Sequence, residues 1–199
     1  MKRLMDWHLQ QWKVSKTRKS LLLRGARQIG KTYAVRKLAE SFTNFVEINF
    51  ELAEDAHRIF EKDLEPERIL RELSLYAKQD IIPGKTLLFL DEVQQMPRAI
   101  IALRYFYEKI PELHVIAAGS LLDFAIAEVG VPVGRVSSLY MYPLSFMEYL
   151  AAVGHSRLVQ AILEHSQEEE MAPMIHDKLL DLLGEYLAIG GMPEAVLNG

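Results

Sequence analysis

The residues Gly25-Ala26-Arg27-Gln28-Ile29-Gly30-Lys31-Thr32 form a stretch suited to holding phosphate. They fit the spacing G-x-x-x-x-G-K-[ST], and that spacing has a physical reason. Glycines let the backbone curl until successive N–H groups converge on phosphate oxygens, and a helix opening near Lys31 adds the positive end of its dipole. Lys31 brings a point charge to the β and γ oxygens, and Thr32 offers a hydroxyl to Mg²⁺. With Tyr33, which follows directly, these residues are the candidate ATP/ADP-binding set.

A second feature is the run Leu87-Leu88-Phe89-Leu90 followed by Asp91 and Glu92. An Asp at the end of an apolar strand is placed to hold Mg²⁺ together with Thr32. A carboxylate directly after it is placed to polarise an attacking water. Between the two motifs lies "NFVEINF" (44–50), a further strand; this is the order of the additional-strand ATPases, in which a glutamate activates water. No N-K-x-D base-reading motif is present, which favours ATP over GTP.

Three later residues are candidates with two readings each. Ser120 ends "VIAAGS"; it is a γ-phosphate sensor through its hydroxyl, or a cap of the helix that follows, with Asp123 completing the cap. Arg135 precedes the last strand; it is an arginine finger for a neighbouring subunit's γ-phosphate, or a structural partner of an acid such as Glu128. Pro193, in "IGGMPEAV", opens a helix after a Gly-Gly C-cap, or packs a lid turn over the adenine. The candidate catalytic set is therefore Lys31, Glu92, Ser120 and Arg135.

Positioning these groups requires a scaffold of alternating strands and helices. Leu4, Trp7, His8 and Trp12 have helical spacing, which predicts an N-terminal helix over about 2–14. Buried strands are expected at 20–24, 44–50, 86–92, 113–120 and 136–144, with helices after the glycine loop and over 65–78, 97–110 and 121–129. That alternation predicts a parallel five-stranded α/β sheet covered by helices on both faces. After Pro143 only amphipathic helices follow, so residues 1–144 are expected to be the core and 145–199 a small all-helical lid.

The chain has 199 residues, half of them apolar, no Cys and a net charge of -4. Disulfides and thiolate metal sites are excluded. No apolar run approaches the roughly 20 residues that cross a bilayer, and no secretory signal begins the chain, so a cytoplasmic protein without membrane contact is expected. Charge is uneven: no acid lies between Trp7 and Ala39, a window holding Lys13, Lys16, Arg18, Lys19, Arg24, Arg27, Lys31, Arg36 and Lys37. Such a field attracts polyphosphate, and a nucleotide explains it more simply than a nucleic acid does.

The blocks "SLLLRGARQIGKTYAV", "FVEINFE", "KTLLFLDEVQQMP", "VIAAGSLL", "VPVGRVSSLYMYPLSFMEYL" and "YLAIGGMPEAV" resemble, in this order, the bacterial and archaeal AAA-domain ATPases. Those proteins normally carry a C-terminal nuclease-like domain of unknown function. The resemblance implies an AAA+-like core, a helical lid and a switch-type ATPase that holds ADP tightly, with this chain corresponding to the N-terminal half. Ser120 stands where Asn is commoner, and no lid sensor Arg is evident, so slow turnover is expected.

Four functions compete. The first is an ATP-driven switch coupled to a C-terminal effector or a protein partner. The second is a DNA-associated motor or nuclease accessory, and the third a non-hydrolysing nucleotide scaffold. The fourth, a small-molecule kinase, needs phosphate-clamping arginines, and the lid region offers only Arg157. A finger at Arg135 would also require a homo-oligomer.

Overall fold

The computed structural model describes residues 3–120, 122–130, 134–166, 168 and 170–198. Helix α1 (Leu4–Val14) leads into strand β1 (Ser20–Arg24), and α2 (Lys31–Ala39) starts where the glycine loop ends. Then come β2 (Asn44–Asn49), α3 (Glu54–Glu61), α4 (Pro66–Ala77), β3 (Thr86–Asp91), a 3-10 turn (Val93–Gln95) and α5 (Arg98–Lys109). Strand β4 (His114–Ala118), α6 (Leu122–Val129) and β5 (Val136–Tyr140) complete the core, and α7 (Phe146–Ala152), α8 (Ser156–Glu164), α9 (Pro173–Ile189) and α10 (Pro193–Asn198) form the tail.

The five strands make one parallel sheet in the order β2-β3-β4-β1-β5. Parallel strands are covered on both faces, which is why β1, β3 and β4 are continuous apolar runs rather than alternating ones. The alternation of side chains then divides each strand between two layers. Leu22, Leu88, Leu90, Val115 and Ala117 pack with Ile59, Ile69, Leu103 and Phe106 from α3, α4 and α5. Leu21, Leu23, Leu87, Phe89, Ile116 and Ala118 face the other way, against Leu9 and Trp12 of α1 and Val35 and Leu38 of α2. Each fully buried Leu or Phe of these layers contributes roughly 2 kcal/mol relative to leaving it in water.

A third apolar cluster, Leu144, Tyr149, Leu150, Leu182 and Val196, holds the tail helices together. The segment joining it to β5 is shorter in strand than the expected 136–144. Met141 still donates to the Arg24 carbonyl at 2.8 Å, but Pro143 has no N–H for a ladder, and the chain leaves the sheet. Helix α3 was not foreseen; its acid-rich sequence hides an apolar face of Ala56, Ile59 and Phe60. Among the described residues no helix is long and apolar enough to cross a membrane.

Candidate functional site

The site gathers at the carboxyl ends of the strands, where the loops after β1, β3 and β4 meet. Residues 25–30 curl because Gly25 (φ 142°) and Gly30 (φ 91°) take backbone angles that side chains disfavour, and Gln28 (φ 63°) follows them into the left-handed region. A Cβ on Gly25 would collide with the Met141 carbonyl, so β1 and the strap after β5 close on each other only through glycine. Ile29, fully buried in the α1/α2 layer, pins the outer side of the curl.

Lys31 reaches back inside the curl. Its Nζ donates to the carbonyls of Gly25 at 2.9 Å and Ala26 at 2.7 Å. Burial lowers the pKa of this ammonium, against the opposing pull of Glu92 and Asp91. Thr32 Oγ1 donates to Asp91 Oδ2 at 2.8 Å, and the Glu92 amide donates to the other oxygen, Oδ1, at 3.0 Å. Asp91 is 2% exposed, and burial raises its carboxyl pKa although both hydrogen bonds favour the ionised form. The two residues expected to hold Mg²⁺, 59 positions apart, are therefore in direct contact. A hydroxyl and one carboxylate suit a cation that keeps waters and takes its remaining ligands from phosphate. Among the described residues no group of three His, Asp or Glu side chains forms an all-protein cage.

Glu92 itself sits at φ 51°, uncommon for a residue with a side chain. That angle turns the chain out of β3 into the 3-10 turn, where Gln94 Nε2 donates to Glu92 Oε2. The other end of the same amide, Oε1, is buried without a partner against Gly119, a position where a Cβ would strike it. Ser120, 6% exposed, follows Gly119 at the tip of β4. The side chain of Asp123, its expected capping partner, lies outside the described residues.

A cavity of about 450 Å³ opens beside the loop. It is lined by Gln28 and Gly30 of the loop, Tyr33 of α2, Arg3, Met141 of the strap, and Pro193, Glu194, Leu197 and Asn198 of α10. The structure thus brings Tyr33 and Pro193 together, although they are far apart in sequence. Arg27 points outward, 70% exposed at the side chain, and meets Glu51 at 3.3 Å. Arg135 is placed apart from all of these: its Nε donates to Glu108 Oε1 on α5 at 2.8 Å. The acid named for it in sequence, Glu128, has its side chain outside the described residues.

Sequence reasoning missed Gln94, Arg3 and Glu148. Gln94 had a signal, two residues after Glu92. Glu148 had the S-x-x-E spacing of a helix cap from Ser145, but its pairing with Arg3 had none, since the two meet across 145 positions.

An AAA domain family profile matches residues 17–150. Among solved structures, the Walker-type ATPase of Pyrococcus abyssi is similar with a TM-score of 0.55 and 17% identity, over 98% of this chain and 65% of its own. A structure of Drosophila ORC bound to DNA gives a TM-score of 0.56 and 14% identity, over 96% of this chain and 57% of its own. The chain therefore spans less than two thirds of the length of either, and at such identities the likeness speaks for the fold alone. No curated protein matches the chain in sequence. The profile covers the glycine loop, the acidic strand end and all five strands, and the chain accordingly belongs to the AAA-domain family of P-loop ATPases.

Proposed function

We propose that the chain binds ATP with Mg²⁺, hydrolyses it slowly, and works as a nucleotide-controlled switch for a C-terminal effector or a protein partner. The observation that carries this reading is the 2.8 Å bond from Thr32 to Asp91, which joins the two motifs beside the Lys31 ammonium. Residues 1–144 are the ATPase core, and 145–199 act as a lid whose Pro193 lies over the base. The cavity is of the size that small ligands occupy and its lining is apolar over most of its surface, as a purine needs.

In the bound state Mg²⁺ would neutralise charge on the β and γ oxygens, held through Thr32 and Asp91. Loop N–H groups orient the phosphates, and Lys31 leaves the loop carbonyls for them. Glu92, aimed by Gln94, accepts a proton from the attacking water, and Ser120 donates its hydroxyl toward the γ-phosphate. Catalysis is thus mainly positioning and charge compensation.

The test has two variants. Lys31→Ala should abolish ATP binding by calorimetry; unchanged affinity would remove the assignment. Glu92→Gln should keep binding and lower turnover by about a hundredfold or more, the usual range for a lost general base. Equal turnover in wild type and Glu92→Gln would favour a nucleotide-binding scaffold instead. The basic window lends a DNA-directed role little support, because part of its charge is compensated locally: Arg36 pairs with Glu47, Lys37 with Asp6 and Arg27 with Glu51.

A further inference from the structure

Arginine rarely lies buried without a partner, and Arg3 is only 9% exposed. Each of its three nitrogens donates one hydrogen bond. Nε donates to Glu148 Oε1 at 2.9 Å, Nη1 to the Ile29 carbonyl at 3.1 Å and Nη2 to the Tyr142 carbonyl at 2.7 Å. Glu148 is equally committed. It accepts from the Leu4 amide at 2.8 Å and the Ser145 amide at 2.9 Å, while its own amide donates to the Ser145 hydroxyl at 3.3 Å, capping α7. These partners belong to four segments: the start of α1, the phosphate loop, the strap after β5 and the first lid helix.

We propose that Arg3 and Glu148 form a latch that couples nucleotide occupancy of the phosphate loop to the seating of the helical lid. The inference rests on the nucleotide-site reading above, and Arg3 acts in it as a positioning residue. Its leverage comes from peptide planarity. The Ile29 carbonyl and the Gly30 N–H belong to one trans peptide and point in opposite directions. When Arg3 holds the carbonyl, it fixes the direction of the Gly30 N–H, one of the loop donors. Phosphate accepting that N–H polarises the peptide and makes the Ile29 carbonyl a better acceptor for Arg3. Occupancy therefore tightens the latch, and by linkage a tight latch favours occupancy.

The strap carries the effect to the cavity wall. Leu144 donates to the Gly191 carbonyl at 2.6 Å, and the Tyr186 hydroxyl donates to the Leu144 carbonyl at 2.7 Å. A Cβ on Gly191 would collide with Leu144, so this turn fits the strap only as glycine. The turn presents Pro193 to the cavity that Arg3 also lines.

The experiment measures Mg·ADP affinity by calorimetry and hydrogen exchange across residues 146–152 and 190–193, in the full chain with and without Mg·ADP. In wild type, Mg·ADP should add protection to both segments. In Glu148→Gln that increment should vanish and affinity should fall about tenfold, within the usual range of coupling between sites. Arg3→Lys, which keeps charge but lacks the planar fork, should do the same and serves if Glu148→Gln does not fold. A passive brace would lose protection equally with and without ADP at unchanged affinity, and that result overturns the latch. Absence of ADP binding in wild type would instead overturn the nucleotide-site reading beneath it.

Discussion

Gly25 shows how one residue is fixed by space rather than by chemistry. Its φ of 142° is disfavoured for any side chain, and a Cβ would meet the Met141 carbonyl. Gly25→Ala should therefore cost about 1–3 kcal/mol in backbone strain alone and weaken ADP binding, because relief requires opening the curl. Gly184 makes the contrast. It lies inside α9 with nothing near its missing Cβ, so Gly184→Ala should raise stability by about 0.5–1 kcal/mol through helix propensity. Thermal denaturation of the two variants reads both signs, and a shift in the same direction for both would refute the argument. At this scale the sequence was legible where function is local. Lys31, Thr32, Asp91 and Glu92 announce themselves by spacing, since a phosphate loop and a strand end need fixed residue types. Glu148 is legible only as the S-x-x-E cap of α7, and Arg3 carries no pattern, because their pairing is a meeting between distant segments that only the folded chain creates.

Among the elements, the buried strands were legible because parallel pairing demands continuous apolar runs, and β1, β3 and β4 fall where those runs are. Helix α3 escaped although Ala56, Ile59 and Phe60 repeat at helical spacing, because it is only eight residues long and opens on Glu54 and Asp55 directly after the turn that follows β2. Strand β4 also holds an unexpected titratable group. His114 sits at its first position, edge-on to the rings of Trp12 and Phe42. Nε2 meets the Lys13 carbonyl at 3.3 Å, while Nδ1 is buried without a partner. Burial, helped by the nearby Arg18 charge, lowers this imidazole to about 4 from its ordinary 6.5. The sign follows from proton counting. Between those values the unfolded chain binds the extra proton and the folded chain does not, so stability falls as pH drops. The contribution is fully present above pH 6.5 and is lost progressively toward pH 4. His114→Phe should flatten the dependence of the denaturation midpoint on pH across that window. An unchanged slope would mean that His114 does not control it.

At the scale of the whole molecule, the sheet itself decides what Arg135 can do. In the β1–β5 register Ser20 lies beside Val136 and Arg24 beside Tyr140, so the glycine loop follows one end of the pair and Arg135 precedes the other. Five residues of strand separate them, roughly 16 Å at the usual rise. Arg135 therefore cannot reach its own nucleotide, and any catalytic role must be toward a neighbouring copy of the chain. Its bond to Glu108, shared with Arg104, leaves the Arg135 side chain 52% exposed. An exposed pair of this kind contributes little to stability and gives way easily to a phosphate. This is why the sequence left the role of Arg135 open: a brace to Glu108 within the chain and a contact to a second chain carry the same single residue in the sequence. If copies assemble through this edge, turnover per chain should rise with protein concentration in wild type. Arg135→Ala should abolish that rise and lower turnover while ADP affinity stays the same. Glu108→Ala, which releases the arginine, should leave turnover intact. Concentration-independent turnover, equal in wild type and Arg135→Ala, would identify the pair with Glu108 as a brace between α5 and the start of β5, and the finger role would be lost.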